Sequence, residues 1–266
     1  MSRNLNLLLM LMLDGTDYDQ QWLIDKAVDD EFYYGALNKI ALSSSSLKML
    51  LDSPKTFHNV QTYGQKENSP ALLMGRVIHT MILEPERFND IFEVVDVASK
   101  NTKAYKEAQA STSKTCITRT DMSKSERITD AFHRNEHAKY FLKQSQTEKP
   151  MVDIVGGFPF RGKADIWNES FLADIKTTTD LKAFRYSADK YGYDMQCYIY
   201  CNLFQRSYKD WYFIALDKAS CDIGIYDVSE EFYKRGEAKF NRAIKVYKDF
   251  FVIGEDLDSY IIRDTL

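Results

Sequence analysis

The residues best suited to chemistry lie in the segment Gly162–Thr177, which reads GKADIWNESFLADIKT. Asp165, Asp174 and Lys176 flank a turn-prone stretch, so two short strands joined by a hairpin would present them together. If the two-residue turn is Glu169-Ser170, Asp165 falls opposite Asp174, with Cβ atoms about 5 Å apart. Two carboxylates at that distance repel each other unless a cation lies between them.

The alternation of strand side chains adds a positive charge to this arrangement. Asp174 and Lys176 share one face of their strand, whereas Ile175 points the other way into a core. Two acidic oxygens and one ammonium suit a hard divalent metal next to a phosphate. The alternative is a solvated hairpin face, because an Asp-x-Lys tripeptide also occurs by chance.

Composition narrows the class of protein without defining its function. The chain has 266 residues, of which 44% are hydrophobic and 28% charged, as expected for one large globular domain or a domain with an insertion. The formal net charge of -4 excludes a global basic field, so any nucleic-acid contact needs local positive charge. The four cysteines form no C-x-x-C pair, which favours free thiols in a reducing cytoplasm over a metal cluster.

The amino-terminal region has a composition of its own. Leu5–Leu13 is almost wholly apolar but too short to span a bilayer as a helix. We interpret it as a packing segment or an extension, and predict that residues 1–32 precede a single domain over residues 33–266. The rest of the chain offers no transmembrane candidate, so no membrane partner is expected.

The periodicity along the chain predicts the order of the elements. Helical patterns cover Gln20–Asn38 (one or two helices), the stretch after the serine run up to Ser53-Pro54, Ala71–Leu83, Ser125–Gln144, Leu181–Asp189, Tyr193–Gln205 and Glu230–Val252. Strand patterns cover Ile91–Val97, Met151–Val155, Phe158–Trp167, the segment with Asp174, Trp211–Leu216 and Asp222–Val228. Ala98–Lys124 is predicted to be a loop or a short helix within a loop. This order predicts an α/β fold with a central mixed β-sheet and helices on both faces.

The serine run Ser43–Ser46 lies where a helix begins. Its hydroxyls are suited to capping the helix, and Ser44 and Ser45 could also bind a phosphate at the helix amino terminus. Capping is the simpler interpretation.

Four short motifs occur in a fixed order along the chain. They are G-x-x-x-H (Gly75 to His79), G-x-x-D (Gly162 to Asp165), D-I-K-T (Asp174 to Thr177) and Q-x-x-x-Y (Gln196 to Tyr200). Together they resemble the PD-(D/E)xK nuclease superfamily, which has a restriction-endonuclease-like core. Within it the chain is most similar to the RecB-like branch and the phage-type exonuclease VIII (RecE) nuclease domain. The resemblance runs from about Tyr33 to Phe250.

The resemblance implies a role for each motif residue. Its metal ligands would be His79, Asp165, Asp174 and the backbone carbonyl of Ile175, holding Mg²⁺ or Mn²⁺. Lys176 would orient or polarise the attacking water and balance charge on the phosphorane. Gln196, Tyr200 and Thr177 would line the site and contact DNA.

The resemblance also implies a biological setting. It implies a metal-dependent exonuclease that degrades linear duplex DNA from its ends, in the 5′ to 3′ direction, in phage recombination or DNA processing. Such enzymes act in the cytoplasm (the host's, if phage-encoded), often as homo-oligomeric rings and beside a single-strand annealing protein. The alternatives are another RecB-like nuclease, endonucleolytic or single-strand-specific, and a catalytically silent DNA-binding module.

Overall fold

A computed structural model describes residues 8–64 and 70–263 of the chain. The strands are β1 (Leu9–Leu11), β2 (Asp17–Asp19), β3 (Phe92–Val95), β4 (Thr115–Thr118), β5 (Gln146–Val155), β6 (Phe158–Trp167), β7 (Leu172–Thr178), β8 (Trp211–Asp217) and β9 (Ile223–Asp227). The α-helices are α1 (Gln20–Lys26), α2 (Asp30–Tyr34), α3 (Ala36–Ile40), α4 (Ser44–Asp52), α5 (Pro54–Tyr63), α6 (Pro70–Leu83), α7 (Phe88–Ile91), α8 (Lys103–Ser111), α9 (Arg119–Arg134), α10 (Glu136–Tyr140), α11 (Phe184–Lys190), α12 (Tyr193–Leu203) and α13 (Glu230–Tyr247).

The main sheet has five strands in the order β5-β6-β7-β8-β9. β7 and β8 are parallel, whereas the other neighbouring pairs are antiparallel. The connection between the two parallel strands contains α11 and α12, as a parallel crossover requires. The predicted α/β class and mixed sheet are therefore confirmed.

Each face of this sheet is covered by its own group of helices. One core joins sheet residues such as Leu172 and Phe213 to α4, α12 and α13. The second joins Ile175 and Ile214 to α6, α9 and α10. Strand alternation places neighbouring residues in different cores, and this fixes which functional side chains meet which helix.

Residues 8–40 pack against one end of the main sheet. β1 pairs with β2, and the buried residues Met10, Leu23 and Leu37 share a third core with Val152 of β5. Gln20 also donates a hydrogen bond from Nε2 to the Val152 carbonyl, at 2.8 Å. Within the apolar stretch, Met10 and Met12 are buried in this core, whereas Leu8, Leu9 and Leu11 are exposed. Leu5–Leu7 lie outside the described residues.

Capping residues explain several helix boundaries. Ser43 and Ser46 form a capping box at the start of α4, each side chain bonding the other residue's backbone N–H. α4 ends at Asp52, before the Ser53-Pro54 pair, and Pro54 begins α5. This boundary is as predicted.

The structure corrects the sequence-based elements in four places. Ala98–Lys124 is not simply a loop with a helix, because it also contains β4, which pairs in parallel with β3 in a separate two-stranded sheet. Gln20–Asn38 forms three short helices, since Asp29 caps one and Gly35 separates the next two. β5 starts at Gln146, five residues before the predicted Met151. The first half of this strand is polar, so the apolar strand pattern did not reveal it. α13 changes to a π-helical turn at Lys248–Ile253.

Candidate metal and catalytic site

The β6–β7 hairpin has the predicted register. Asn168 donates its N–H to the Phe171 carbonyl at 3.1 Å, and Ile166 and Trp167 pair with Ala173 and Leu172. The regular pairs end there, so the two strands diverge at the next pair, Asp165 and Asp174.

Asp165 lies where the two strands separate. Its Oδ2 accepts a hydrogen bond from the Ile175 N–H at 2.8 Å. A side-chain carboxylate therefore takes the place of the backbone carbonyl that would accept this bond in a regular strand pair. Ala164 belongs to the core under α12 and Ile166 to the core under α6, so strand alternation breaks at this residue. The break turns the Asp165 side chain towards His79, whose Nδ1 lies 3.5 Å from Asp165 Oδ2.

Glu148 completes a group of potential metal ligands that the sequence did not predict. Ligand atoms of His79, Glu148 and Asp165 all lie within 4.8 Å of one another. Glu148 stands opposite Asp165 in the β5–β6 register, between the pairs Thr147–Ile166 and Lys149–Ala164. Its backbone has a φ of 48°, an unusual conformation for a residue other than glycine.

The charge of Glu148 depends on this environment. Burial, followed by the nearby charges of Asp165 and Glu84, raises the pKa of Glu148 to about 9. A bound cation would oppose both effects, because it favours the ionised carboxylate. Two carboxylates and one imidazole are therefore a suitable set of ligands for a divalent ion. Their ligand atoms, within 4.8 Å of one another, are close enough to share one ion.

Asp174 is held on the opposite side of its strand from Ile175. Its Oδ1 accepts a hydrogen bond from Gln196 Nε2 at 2.6 Å, and its Oδ2 lies 2.6 Å from Lys176 Nζ. Burial raises the pKa of Asp174 to about 6 against the opposing charge of Lys176. Burial alone would lower the pKa of Lys176, but Asp174 and Asp165 outweigh it and the pKa is raised. Asp174 is not a member of the three-residue group around His79.

The Q-x-x-x-Y motif connects α12 to both strands. Gln196 orients Asp174, while Tyr200 is only 8% exposed and exchanges two hydrogen bonds of 3.3 Å with the Lys163 backbone. A Cβ at Gly162 would lie 3.2 Å from the Tyr200 ring, so the glycine makes room for this contact. Tyr200 thus holds β6 two residues before Asp165.

The remaining predicted residues have different positions. The Thr177 hydroxyl lies 3.7 Å from where a Cβ on Gly75 would be, so the D-I-K-T and G-x-x-x-H motifs also touch. Ser44 is half-buried and Ser45 exposed in the first turn of α4, while capping is performed by Ser43 and Ser46. The Ile175 side chain is buried in the core under α6.

Most of the chain matches the model of one protein family. A PDDEXK-like domain of unknown function (DUF3799) matches residues 43–253. The chain belongs to this PDDEXK-like family. The matched region starts at the α4 cap and includes all four motifs, and the predicted relationship to the PD-(D/E)xK superfamily is confirmed. None of the curated protein sequences matches the chain.

Solved structures are similar to this chain at low sequence identity. A protein of Eubacterium rectale, provisionally described as an exonuclease, has a TM-score of 0.61 and 17% identity, over 90% of this chain and 95% of its own. A phage-related exonuclease from Haemophilus somnus has a TM-score of 0.35 and 14% identity, over 82% and 98%. The protein SSO0001 has a TM-score of 0.39 and 13% identity, over 89% and 97%. Within the described ranges of the PDDEXK-like chain, no helix is long and apolar enough to cross a bilayer.

Proposed function

We propose that the protein is a divalent-metal-dependent DNA exonuclease that hydrolyses phosphodiester bonds from the ends of linear duplex DNA. The supporting observation is that Asp165 of a PDDEXK-like chain lies beside His79 and Glu148. The other two motifs contact the same hairpin, because Ile175 N–H bonds Asp165 and Gln196 bonds Asp174. The provisional exonuclease description of the Eubacterium rectale protein agrees with this assignment.

His79, Asp165 and Glu148 would hold the ion, and Asp174 would join them after release from Lys176. We propose Mg²⁺ or Mn²⁺, because oxygen ligands with one imidazole suit these hard cations. When bound, the ion lowers the pKa of a water molecule and neutralises charge on the scissile phosphate.

The protein side chains would supply positioning and charge. The hydrogen bond from Ile175 N–H fixes the Asp165 carboxylate, and Gln196 fixes Asp174. Lys176 carries a positive charge beside these carboxylates, where it can orient the attacking water and stabilise negative charge that develops on the phosphate. Thr177 follows it directly on the strand and would contact the DNA backbone.

Digestion of linear and covalently closed duplex DNA tests this proposal, with Mg²⁺ or EDTA, for the wild type and Lys176→Ala. We expect only linear DNA to be degraded, only with metal, and at least a hundredfold more slowly by Lys176→Ala, since an electrostatic group is lost. Cutting of circles would indicate an endonuclease. Intact DNA in every reaction would overturn the nuclease assignment.

The finer biological assignments stay predictions. End-labelled substrates would show whether degradation runs 5′ to 3′, and sedimentation would test for a homo-oligomeric ring. A cytoplasmic role in phage recombination, beside a single-strand annealing protein, is compatible with a DNA-end nuclease and requires its own test in cells.

A further inference from the structure

A row of aromatic rings leads from Lys176 to the protein surface. Lys176 Nζ lies 4.7 Å from the centre of the half-buried Tyr193 ring. The Tyr193 ring is 6.0 Å from that of Tyr191, with an angle of 35° between the planes. Tyr191 is 45% exposed, so the row ends on an accessible ring only two contacts from the proposed catalytic lysine.

Two lysines from different helices converge on Tyr191. Lys48 of α4 and Lys190 at the end of α11 have their Nζ atoms 5.2 and 5.7 Å from its ring centre. Both are exposed, and neither has an ion-pair partner within the part of the chain that the structure describes. The adjacent carboxylate, Asp189, is instead paired with Lys239 at 2.8 Å. The result is local positive charge in a chain whose net charge is -4.

The position of these lysines leaves the Tyr191 ring available. Another lysine–aromatic contact in the protein, Lys149 over Trp167, has its Nζ only 3.1 Å from the ring centre. Lys48 and Lys190 lie farther from the Tyr191 ring centre, at 5.2 and 5.7 Å, and Tyr191 stays 45% exposed beside them. An accessible aromatic ring with cations nearby can stack a base while the cations contact neighbouring phosphates.

We propose that Lys48, Lys190 and Tyr191, here named the Tyr191 platform, bind a single-stranded stretch of the nucleic-acid substrate next to the catalytic site. A single strand is favoured because its bases are free to stack on a side chain, whereas those of a duplex are already stacked on each other. The proposal rests on the proposed nuclease function and adds a substrate-binding site outside the four motifs.

The test is fluorescence anisotropy with labelled oligothymidylate of about a dozen nucleotides, in EDTA so that no cleavage occurs. An abasic strand of equal length serves as the second probe. Tyr191→Ala should weaken oligothymidylate binding roughly tenfold and leave abasic binding unchanged, because only the stacking contact is lost. Tyr191→Phe keeps the ring and should bind as the wild type does, and so should Tyr63→Ala, which removes a tyrosine that is 81% exposed elsewhere.

Salt dependence tests the two lysines separately. Replacing Lys48 and Lys190 together by alanine should lower the slope of log Kd against log salt by about 1.4 for a single strand, or about 0.7 per contact. The proposal is overturned if Tyr191→Ala binds oligothymidylate as tightly as wild type. It is equally overturned if the variant weakens binding of the abasic strand to the same extent.

The nuclease proposal can fail or survive independently of this result. If wild-type protein degrades linear DNA but Tyr191→Ala has no base-dependent binding defect, only the Tyr191 platform is wrong. If the wild type neither degrades DNA nor binds either probe, both proposals are wrong.

Discussion

Glu148 is the residue whose role depends most on the bound metal. With its pKa raised to about 9, it carries a proton at neutral pH, which a metal ion must displace to bind. The affinity of the protein for Mn²⁺ should therefore increase as the pH rises towards about 9. The increase should be up to about tenfold between roughly pH 7 and 8. Calorimetric titration of the wild type and Glu148→Gln would check this.

Glu148→Gln should bind Mn²⁺ more weakly and with a smaller pH dependence, because no proton leaves that side chain. The groups facing it are Asp165, Glu84, Asp30 and Lys163, and they are unchanged in the variant. Glu93→Gln, at an exposed position on β3, is the control and should match the wild type. An unaltered affinity and pH dependence in Glu148→Gln would exclude Glu148 as a ligand.

Local patterns predicted the hairpin residues but could not predict Glu148. The register of Asp165 and Asp174 followed from the turn residues and the alternation of apolar side chains. Glu148 belongs to the polar half of β5, and its orientation depends on a positive φ that no apolar pattern encodes. Only the pairing of β5 with β6, a contact between distant segments, brings it to Asp165.

At the scale of elements, the close approach of α12 and α13 positions Gln196. A Cβ on Gly236 would overlap the backbone carbonyl of Asp194. Gly236→Ala should therefore push the helices apart and lower the free energy of unfolding by about 2–4 kcal/mol. In an exposed helix the same change raises the free energy of unfolding by up to about 1 kcal/mol. The sign of the measured change therefore shows whether the contact between α12 and α13 requires a glycine at this position.

Urea unfolding of Gly236→Ala measures this effect. Glu237→Ala, at the exposed neighbouring position, is the control and should change stability by less than about 0.5 kcal/mol. A stability equal to or above that of the wild type would show that α12 and α13 can separate without cost. The helix pattern predicted both helices, but glycine at this crossing has no signal in a single sequence.

At the scale of the whole molecule, Asp30 links the amino-terminal segment to the main sheet. Its carboxylate lies 2.5 Å from Lys163 Nζ on β6 and 2.5 Å from Arg87 Nη2, and the Lys163 side chain is only 7% exposed. The boundary predicted from sequence places Asp30 in the amino-terminal extension of residues 1–32. Packing on Val152 and the two ion pairs of Asp30 attach this segment to the rest of the fold.

Asp30→Asn should leave the buried Lys163 charge without its partner and lower the free energy of unfolding by about 1–3 kcal/mol at neutral pH. Burial alone would raise the pKa of Asp30, but hydrogen bonds and charges from Lys163 and Arg87 outweigh it and the pKa lies below the ordinary 3.8. The stabilisation is therefore fully present above pH 3.8 and is lost as the pH falls through the lower folded pKa.

Denaturation at a series of pH values would compare Asp30→Asn with Asp25→Asn, an exposed aspartate in the same segment. The stability difference between wild type and Asp30→Asn should be constant near neutrality and narrow below about pH 4, whereas Asp25→Asn should differ little at any pH. Because Asp30 also lies near Glu148, its loss should disturb the metal site as well as the fold. Wild-type stability in Asp30→Asn would mean that the ion pairs of Asp30 contribute nothing measurable to the stability of the fold.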